Sequence, residues 1–159
     1  MGVSGNRRQV TDTHHQKPDP QTVAEAVRDK MFENDAVSRG LGMNIEVIGP
    51  GHSRVTMVVR PDMVNGFGLC HGGVITTLAD TAFAFACNSH NELTLASGIF
   101  IEILNPGHVG DRLIAEAREV VINGRLGLYD IMVTNQHGKQ VASMRGRSHT
   151  MKGKHIVEF

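Results

Sequence analysis

The sequence contains 159 residues, about the length of one domain with its own hydrophobic core. Sixteen lysines and arginines balance sixteen aspartates and glutamates, so no net charge favours a nucleic acid or a membrane surface as partner. The two cysteines lack CxxC spacing and the first residues lack an apolar signal-peptide core, which indicates a cytoplasmic protein without a disulfide framework. We therefore expect small molecules, or further copies of the chain, as partners.

The first twenty residues differ in character from the rest. Residues 1–20 are polar, contain two prolines and show no hydrophobic period, which predicts a disordered N-terminal tail in front of one domain at 21–159. His14 and His15 could bind a metal ion as a pair, but a solvated tail is the simpler interpretation. Residues 20–42 then place apolar side chains near helical spacing and end in glycines, so they predict one amphipathic helix.

Strand patterns flank a single apolar helix. Residues 43–51 and 53–61 alternate apolar and polar side chains around a Gly-Pro-Gly turn, which predicts a β-hairpin. Residues 71–89, "HGGVITTLADTAFAFACNS", are apolar around most of a helix. Four strands joined by short turns, an antiparallel meander, are predicted at 94–107, 111–124, 125–138 and 139–151. Such a helix must be covered, so we predict an α+β domain whose antiparallel sheet wraps around a long central helix.

One carboxylate, Asp80, lies in the middle of that helix. Between Met63 and Asn91 the sequence has no other Asp or Glu and no Lys or Arg. At 100° per residue, about half of the helix faces the sheet, and Asp80 lies on the remaining stripe. That stripe also contains Thr76, Thr77, Thr81, Ala84 and Asn88. Desolvation there would raise the pKa of Asp80 toward the range of a general base or nucleophile, whereas the structural alternative is a carboxylate held by loop donors.

The loop before the helix, "NGFGLCHGG" at 65–73, offers further candidate groups. Gly72 begins the helix, where its N–H could stabilise an oxyanion, although a flexible lead-in would need glycines as well. His71 could act in acid–base chemistry, but capping of the helix is an equally good role, so we place it, with Gly73, around the site. Asn65 could orient a water or a carbonyl, or simply form an Asn-Gly turn.

Other chemistry finds no support in the sequence. Cys70 and Cys87 have no cationic neighbour that would activate a thiol, so both resemble core residues. No HxxxH, CxxC or carboxylate cluster has metal-ligand spacing, and we expect neither a metal site nor a cofactor.

These motifs together resemble the hotdog-fold acyl-CoA thioesterases of the PaaI type. The run "NGFGLCHGGVITTLADTAFAFACNS" carries most of the resemblance, and "MFENDAVSRGLGM", "LYDIMVTNQ" and "RGRSH" extend it over roughly residues 24–150. The resemblance implies hydrolysis of phenylacetyl-CoA or a hydroxylated phenylacetyl-CoA in phenylacetate degradation. It also implies a dimer of dimers with the active site at the dimer interface.

The resemblance also implies roles for individual residues. Asp80 would be the nucleophile or the base that activates water, Gly72 would donate its N–H to the thioester oxygen, and Asn65 would sit beside the carbonyl. The related 4-hydroxybenzoyl-CoA thioesterases use a Thr one turn after the acid, where this chain has Ala84. Thr81 or Thr77 could substitute for that hydroxyl.

Helix geometry constrains how these groups cooperate. Eight residues separate Gly72 from Asp80, which is about 12 Å along a helix axis. A donor and a nucleophile must each approach the same carbonyl to about 3 Å, so one helix can hardly supply both. We therefore expect two antiparallel helices facing across a dimer, with Asp80 from one subunit and Gly72 and Asn65 from the other.

Three questions stay open at the level of sequence. The cations Arg145, Arg147, Lys152 and Lys154 could bind the phosphates of coenzyme A, or could simply alternate along an exposed strand. A hotdog dehydratase or hydratase, which would use a His, is one alternative function, and a non-catalytic acyl-CoA sensor is another. Neither the acyl group nor the choice between covalent and general-base catalysis is fixed.

Overall fold

The computed structural model describes residues 17–159. Most of the predicted N-terminal tail, including His14 and His15, lies outside these residues. Three helices, one 3₁₀ turn and six strands follow in chain order: α1 Pro20–Asn34, α2 Ala36–Gly40, β1 Asn44–Gly49, β2 His52–Val58, the 3₁₀ turn Pro61–Met63, α3 Gly72–Asn88, β3 Thr94–Ile103, β4 Arg112–Asn123, β5 Leu126–Thr134 and β6 Gln140–Thr150. In this part of the chain no helix is long and apolar enough to cross a membrane.

The single helix predicted over 20–42 is wrong, because the helix breaks at Asp35. Asp35 has φ −85° and ψ 86°, outside the helical region, and caps α2 instead. Its carboxylate accepts the backbone N–H of Ser38 at 2.9 Å and the Ser38 hydroxyl at 2.5 Å. An aspartate that caps a new helix competes with continuation of the old one, and here the cap prevails over the hydrophobic period.

The sheet confirms the predicted hairpin and corrects part of the predicted meander. Its strands are antiparallel in the order β1-β2-β4-β5-β6-β3. β4, β5 and β6 form a meander, but β3 pairs with β6 and lies at the edge. The link between β3 and β4 runs past the start of α3, where Gly107 O accepts the Cys70 N–H at 2.8 Å. That link spans the sheet instead of turning back, so β3 and β4 cannot be neighbours.

The sheet wraps α3 as the apolar pattern predicts. Leu78, Ala82 and Phe83 are fully buried against it. The sheet approaches closely at Gly146, where an added Cβ would lie 2.9 Å from the Phe83 ring. The α+β arrangement of a long helix inside an antiparallel sheet is therefore confirmed.

A second side of α3 is covered as well, which corrects two residues of the predicted outward stripe. Thr81 is 8 % exposed, and its hydroxyl lies 3.2 Å from the Ser38 hydroxyl of α2. Asn88 is buried and exchanges two hydrogen bonds with the Thr94 backbone, at 2.8 and 2.9 Å. The sequence pattern could not show that α2 covers Thr81 and that the start of β3 covers Asn88.

Candidate active site

Asp80 lies half-buried at a cleft beside α3. The cleft has a volume of about 350 Å³, and its walls include Met31, Phe83, Leu95 and Ile156. No donor or cation among the described residues pairs with the carboxylate, and burial raises the pKa of Asp80 above its ordinary value. The structural alternative, in which loop donors hold Asp80, therefore finds no such donor within residues 17–159. An unpaired carboxylate in an apolar cleft is poised to accept a proton or to attack an electrophile.

The start of α3 leaves one donor unused. His71 is the N-cap, and its Nδ1 accepts the Gly73 N–H at 3.0 Å. The His71 carbonyl accepts the N–H groups of Val74 and Ile75. Within residues 17–159 the Gly72 N–H has no acceptor, and a Cβ added at Gly72 would meet no atom within 4 Å. His71 thus has the capping role considered from the sequence, and the Gly72 N–H stays available to an anion.

Asn65 organises the loop that leads to this donor. Its Oδ1 accepts the N–H of Phe67 at 2.9 Å and that of Leu69 at 3.2 Å. Gly68, at φ 73°, closes the turn in a conformation that favours glycine. Asn65 and Gly72 line one cleft of about 270 Å³. The structure therefore brings Asn65 and Gly72 together, whereas Asp80 of the same protomer opens into a different cleft.

The two threonines proposed to hold a water are both engaged within the fold. The Thr77 hydroxyl donates to Gly73 O at 2.8 Å. The Thr81 hydroxyl is buried beside Ser38, which makes it the poorer candidate of the two. Both cysteines are also buried, and desolvation raises the pKa of Cys70 and brings that of Cys87 to about 12, so neither thiol is activated. Residues 17–159 contain no group of three metal-ligating side chains.

The candidate phosphate ligands fall into two places. Arg145 is paired with Asp130 at 2.6 Å, whereas no ion pair is found for the exposed Arg147 in the described structure. A different cleft of about 460 Å³ collects Arg125, His149, Lys152 and Lys154. We call it the cationic cleft.

The cationic cleft shares the side chains of Leu95 and Ala96 with the Asp80 cleft. Sequence reasoning missed Arg125 and His149. Leu95 and Leu126 both pair with His149 in the sheet. This register, which is a tertiary property, brings Arg125 and His149 near Lys152 and Lys154.

Comparison with known proteins identifies the family of this chain. Residues 67–142 match the thioesterase superfamily. Acyl-coenzyme A thioesterase PaaI of Escherichia coli K12 is 46 % identical over 123 residues, which cover 77 % of this chain and 88 % of that protein. The chain belongs to the thioesterase superfamily. The hotdog fold and the prediction of a thioesterase enzyme are thereby confirmed.

Solved structures support the same family. The structure of E. coli PaaI, from the phenylacetic acid degradation operon, aligns with this thioesterase at a TM-score of 0.84 and 42 % identity, covering 86 % of this chain and 99 % of that one. A hypothetical thioesterase protein from Streptococcus pneumoniae TIGR4, solved with coenzyme A, aligns at a TM-score of 0.68 and 25 % identity, covering 70 % of this chain and 90 % of that one.

Proposed function

We propose that this thioesterase hydrolyses aryl-acetyl-CoA, either phenylacetyl-CoA or a hydroxylated phenylacetyl-CoA, to the free acid and coenzyme A. The observation that carries the proposal is Asp80, an unpaired carboxylate with a raised pKa in an apolar cleft. The name of the E. coli relative supports an acyl-CoA substrate, and its phenylacetic acid operon supports the aryl-acetyl group.

The carboxylate can act by either of two balanced routes. As a general base, Asp80 takes a proton from water while the water oxygen bonds to the thioester carbon. The C–S bond then breaks, and the proton passes from Asp80 to the departing sulfur, which leaves as the thiol of coenzyme A. As a nucleophile, a carboxylate oxygen attacks that carbon, coenzyme A leaves, and water then cleaves the resulting anhydride. In both routes a thioester and water give an acid and a thiol.

The other half of the reaction needs a donor for the carbonyl oxygen. The unused Gly72 N–H lies at the positive end of α3 and would bind the oxygen as it gains negative charge. Asn65 lines the same cleft, and its amide group would lie beside the reacting carbonyl.

We assign these two halves to different subunits of a dimer. Within one protomer the carboxylate and the donor line separate clefts. The edge strand β3 is ten residues long and exposes Ile99, Phe100 and Ile103, with Phe100 68 % exposed. An apolar open edge of this length favours pairing with another chain, so β3 is the element we propose for the dimer contact. Two such dimers would form the tetramer.

The cationic cleft is our assignment for the phosphates of coenzyme A. Its cations gather around one depression next to the Asp80 cleft, so a single extended ligand can reach both. Arg145 is occupied by Asp130, which leaves Arg147 as the alternative from the exposed face of β6.

Thiol release tests the proposal directly. Purified protein is incubated with phenylacetyl-CoA, 4-hydroxyphenylacetyl-CoA and a series of alkyl acyl-CoA esters in the presence of a thiol reagent. We expect release that is fastest with the aryl-acetyl esters and at least about a hundredfold slower with Asp80→Asn. Tight binding without thiol release would instead indicate a sensor. A separate incubation with crotonyl-CoA, followed by loss of the enoyl absorbance without thiol release, would indicate a hydratase.

A further inference from the structure

The C-terminal segment beyond β6, residues 151–157, is attached to the loop that joins α3 to β3. The Leu93 N–H donates to Lys154 O at 2.7 Å, and the Met151 N–H donates to Leu93 O at 2.8 Å. Lys152 adds an ion pair with Glu92 at 3.7 Å. The segment is therefore laid along the end of α3 by its own backbone bonds.

Asn91 holds the last part of this segment. Its Oδ1 accepts the N–H groups of Ile156 at 3.0 Å and Val157 at 2.9 Å, and its Nδ2 donates to Val157 O at 2.9 Å. The His155 ring Nδ1 lies 2.9 Å from Asn91 O. In the described chain Asn91 is the one non-glycine residue with positive φ, at 61°. Asparagine is among the few non-glycine residues that adopt this left-handed conformation readily, and here its side chain and carbonyl contact the attached segment.

The attachment determines where Ile156 lies. Ile156 lines the Asp80 cleft together with Met31, Phe83 and Leu95. Because Asn91 binds the N–H groups of both Ile156 and Val157, the backbone on each side of the Ile156 side chain is fixed. A backbone fixed on both sides keeps Ile156 at the cleft.

We propose that the C-terminal segment forms one wall of the acyl pocket and that Ile156 sets the size of the acyl group. The inference rests on the proposed function, because the cleft receives an acyl group only if Asp80 acts on its carbonyl. Asp80 is the sole charged residue that lines this cleft within the described chain. The walls therefore suit an uncharged acyl group, since a charged one would be desolvated there without a partner.

Two substitutions of opposite size test the wall. The measured quantity is kcat/KM for acetyl-, phenylacetyl- and naphthylacetyl-CoA, with each value divided by that for acetyl-CoA. Ile156→Ala should raise the naphthylacetyl ratio about tenfold, and Ile156→Phe should lower the phenylacetyl ratio about tenfold. Phe159→Ala is the matched control, because Phe159 is 63 % exposed and is not among the residues that line the cleft, and it should leave both ratios unchanged.

Asn91→Gly tests the attachment separately from the wall. Glycine keeps the left-handed backbone but removes the three side-chain hydrogen bonds. We expect faster hydrogen exchange at the Ile156 and Val157 N–H groups and a selectivity shift in the direction of Ile156→Ala. Unchanged exchange at these two amides would show that Asn91 does not hold the segment.

A binding measurement separates this proposal from the proposed function. Calorimetry with S-ethyl-CoA and S-(2-phenylethyl)-CoA, thioethers that cannot be hydrolysed, reports pocket size without catalysis. If the wild type releases no thiol but Ile156→Phe still weakens binding of the larger thioether, the proposed hydrolysis is wrong and the proposed wall stands. If the Ile156 variants change kcat/KM for all acyl groups by the same factor, or if the thioethers do not bind, the proposed wall is wrong.

Discussion

The start and the middle of α3 are built in different ways. The start depends on neighbours in sequence, because His71 caps Gly73 and Asn65 folds the preceding loop, which leaves the Gly72 N–H unused. The middle depends on distant elements, because the walls around Asp80 come from α1, β3 and the C-terminal segment. A donor can thus be specified by a local motif, whereas a carboxylate with a raised pKa needs most of the fold around it.

The largest expected effect comes from removing the carboxylate at the middle of α3. Asp80→Asn and Asp80→Ala should each lower kcat by at least about a hundredfold with phenylacetyl-CoA, because the base or nucleophile is removed. Binding of coenzyme A should be preserved, and the unfolding midpoint should not fall. Glu33→Gln, which neutralises an exposed carboxylate on α1, serves as the control. Near-normal turnover by Asp80→Asn, or its failure to fold, would return Asp80 to a structural role.

At the start of α3, a single substitution can remove the donor N–H of Gly72. Gly72→Pro deletes the N–H at the first helical position, where proline is tolerated, and His71 already has the extended conformation (φ −60°, ψ 131°) that precedes a proline. Loss of one oxyanion donor should lower kcat by about a hundredfold, with helical circular dichroism unchanged. Gly72→Ala keeps the N–H, so its kcat should fall much less than that of Gly72→Pro. An equal fall in kcat in the two variants would indicate steric hindrance instead of a lost donor.

A smaller effect is expected from the cationic cleft, which contains neither the carboxylate nor the donor N–H. Lys154→Ala combined with Arg125→Ala in the cationic cleft should raise KM for phenylacetyl-CoA about tenfold, since charge-assisted phosphate contacts are lost. KM for the truncated pantetheine thioester should not change. Lys139→Ala, in the turn before β6, is the control, and Arg145→Ala and Arg147→Ala test the alternative ligands. A rise in KM only in the arginine variants of β6 would move the phosphate site there.

The smallest expected effect is a pH dependence of stability. Burial raises the pKa of folded Asp80 above its ordinary value of 3.8, so the folded state binds this proton more tightly than the unfolded state. The resulting stabilisation is complete below pH 3.8 and is lost as the pH rises through the raised pKa. The Tm of Asp80→Asn minus that of the wild type should therefore increase from acid to neutral pH. A difference that is independent of pH would mean that Asp80 is not desolvated.

Local patterns predicted much of this architecture from the sequence. The apolar circumference of residues 71–89 predicted a covered helix, and the Gly-Pro-Gly turn predicted the first hairpin. The loop motif identified Gly72 and Asn65 as candidates, and the structure brings them to one cleft. The isolation of Asp80 in the sequence anticipated its lack of a partner among the described residues.

Competing local signals and tertiary packing account for the rest. Asp35 broke the predicted first helix because capping overrode periodicity. The edge position of β3 could not be predicted, because turn composition does not reveal which strands pair. The positions of Ile156, Arg125 and His149 follow from sheet register and from the C-terminal attachment, neither of which leaves a local pattern.

Subunit complementation tests the central claim, a site shared between two protomers. Asp80→Ala and Gly72→Pro, each nearly inactive alone, are mixed, and exchange is verified by native mass spectrometry. Random mixing makes half of the dimers mixed, and each mixed dimer has one site with both lesions and one with none. About a quarter of wild-type activity per subunit should therefore return. No recovery after verified exchange would contradict the claim, because the carboxylate and the donor would then have to come from the same chain.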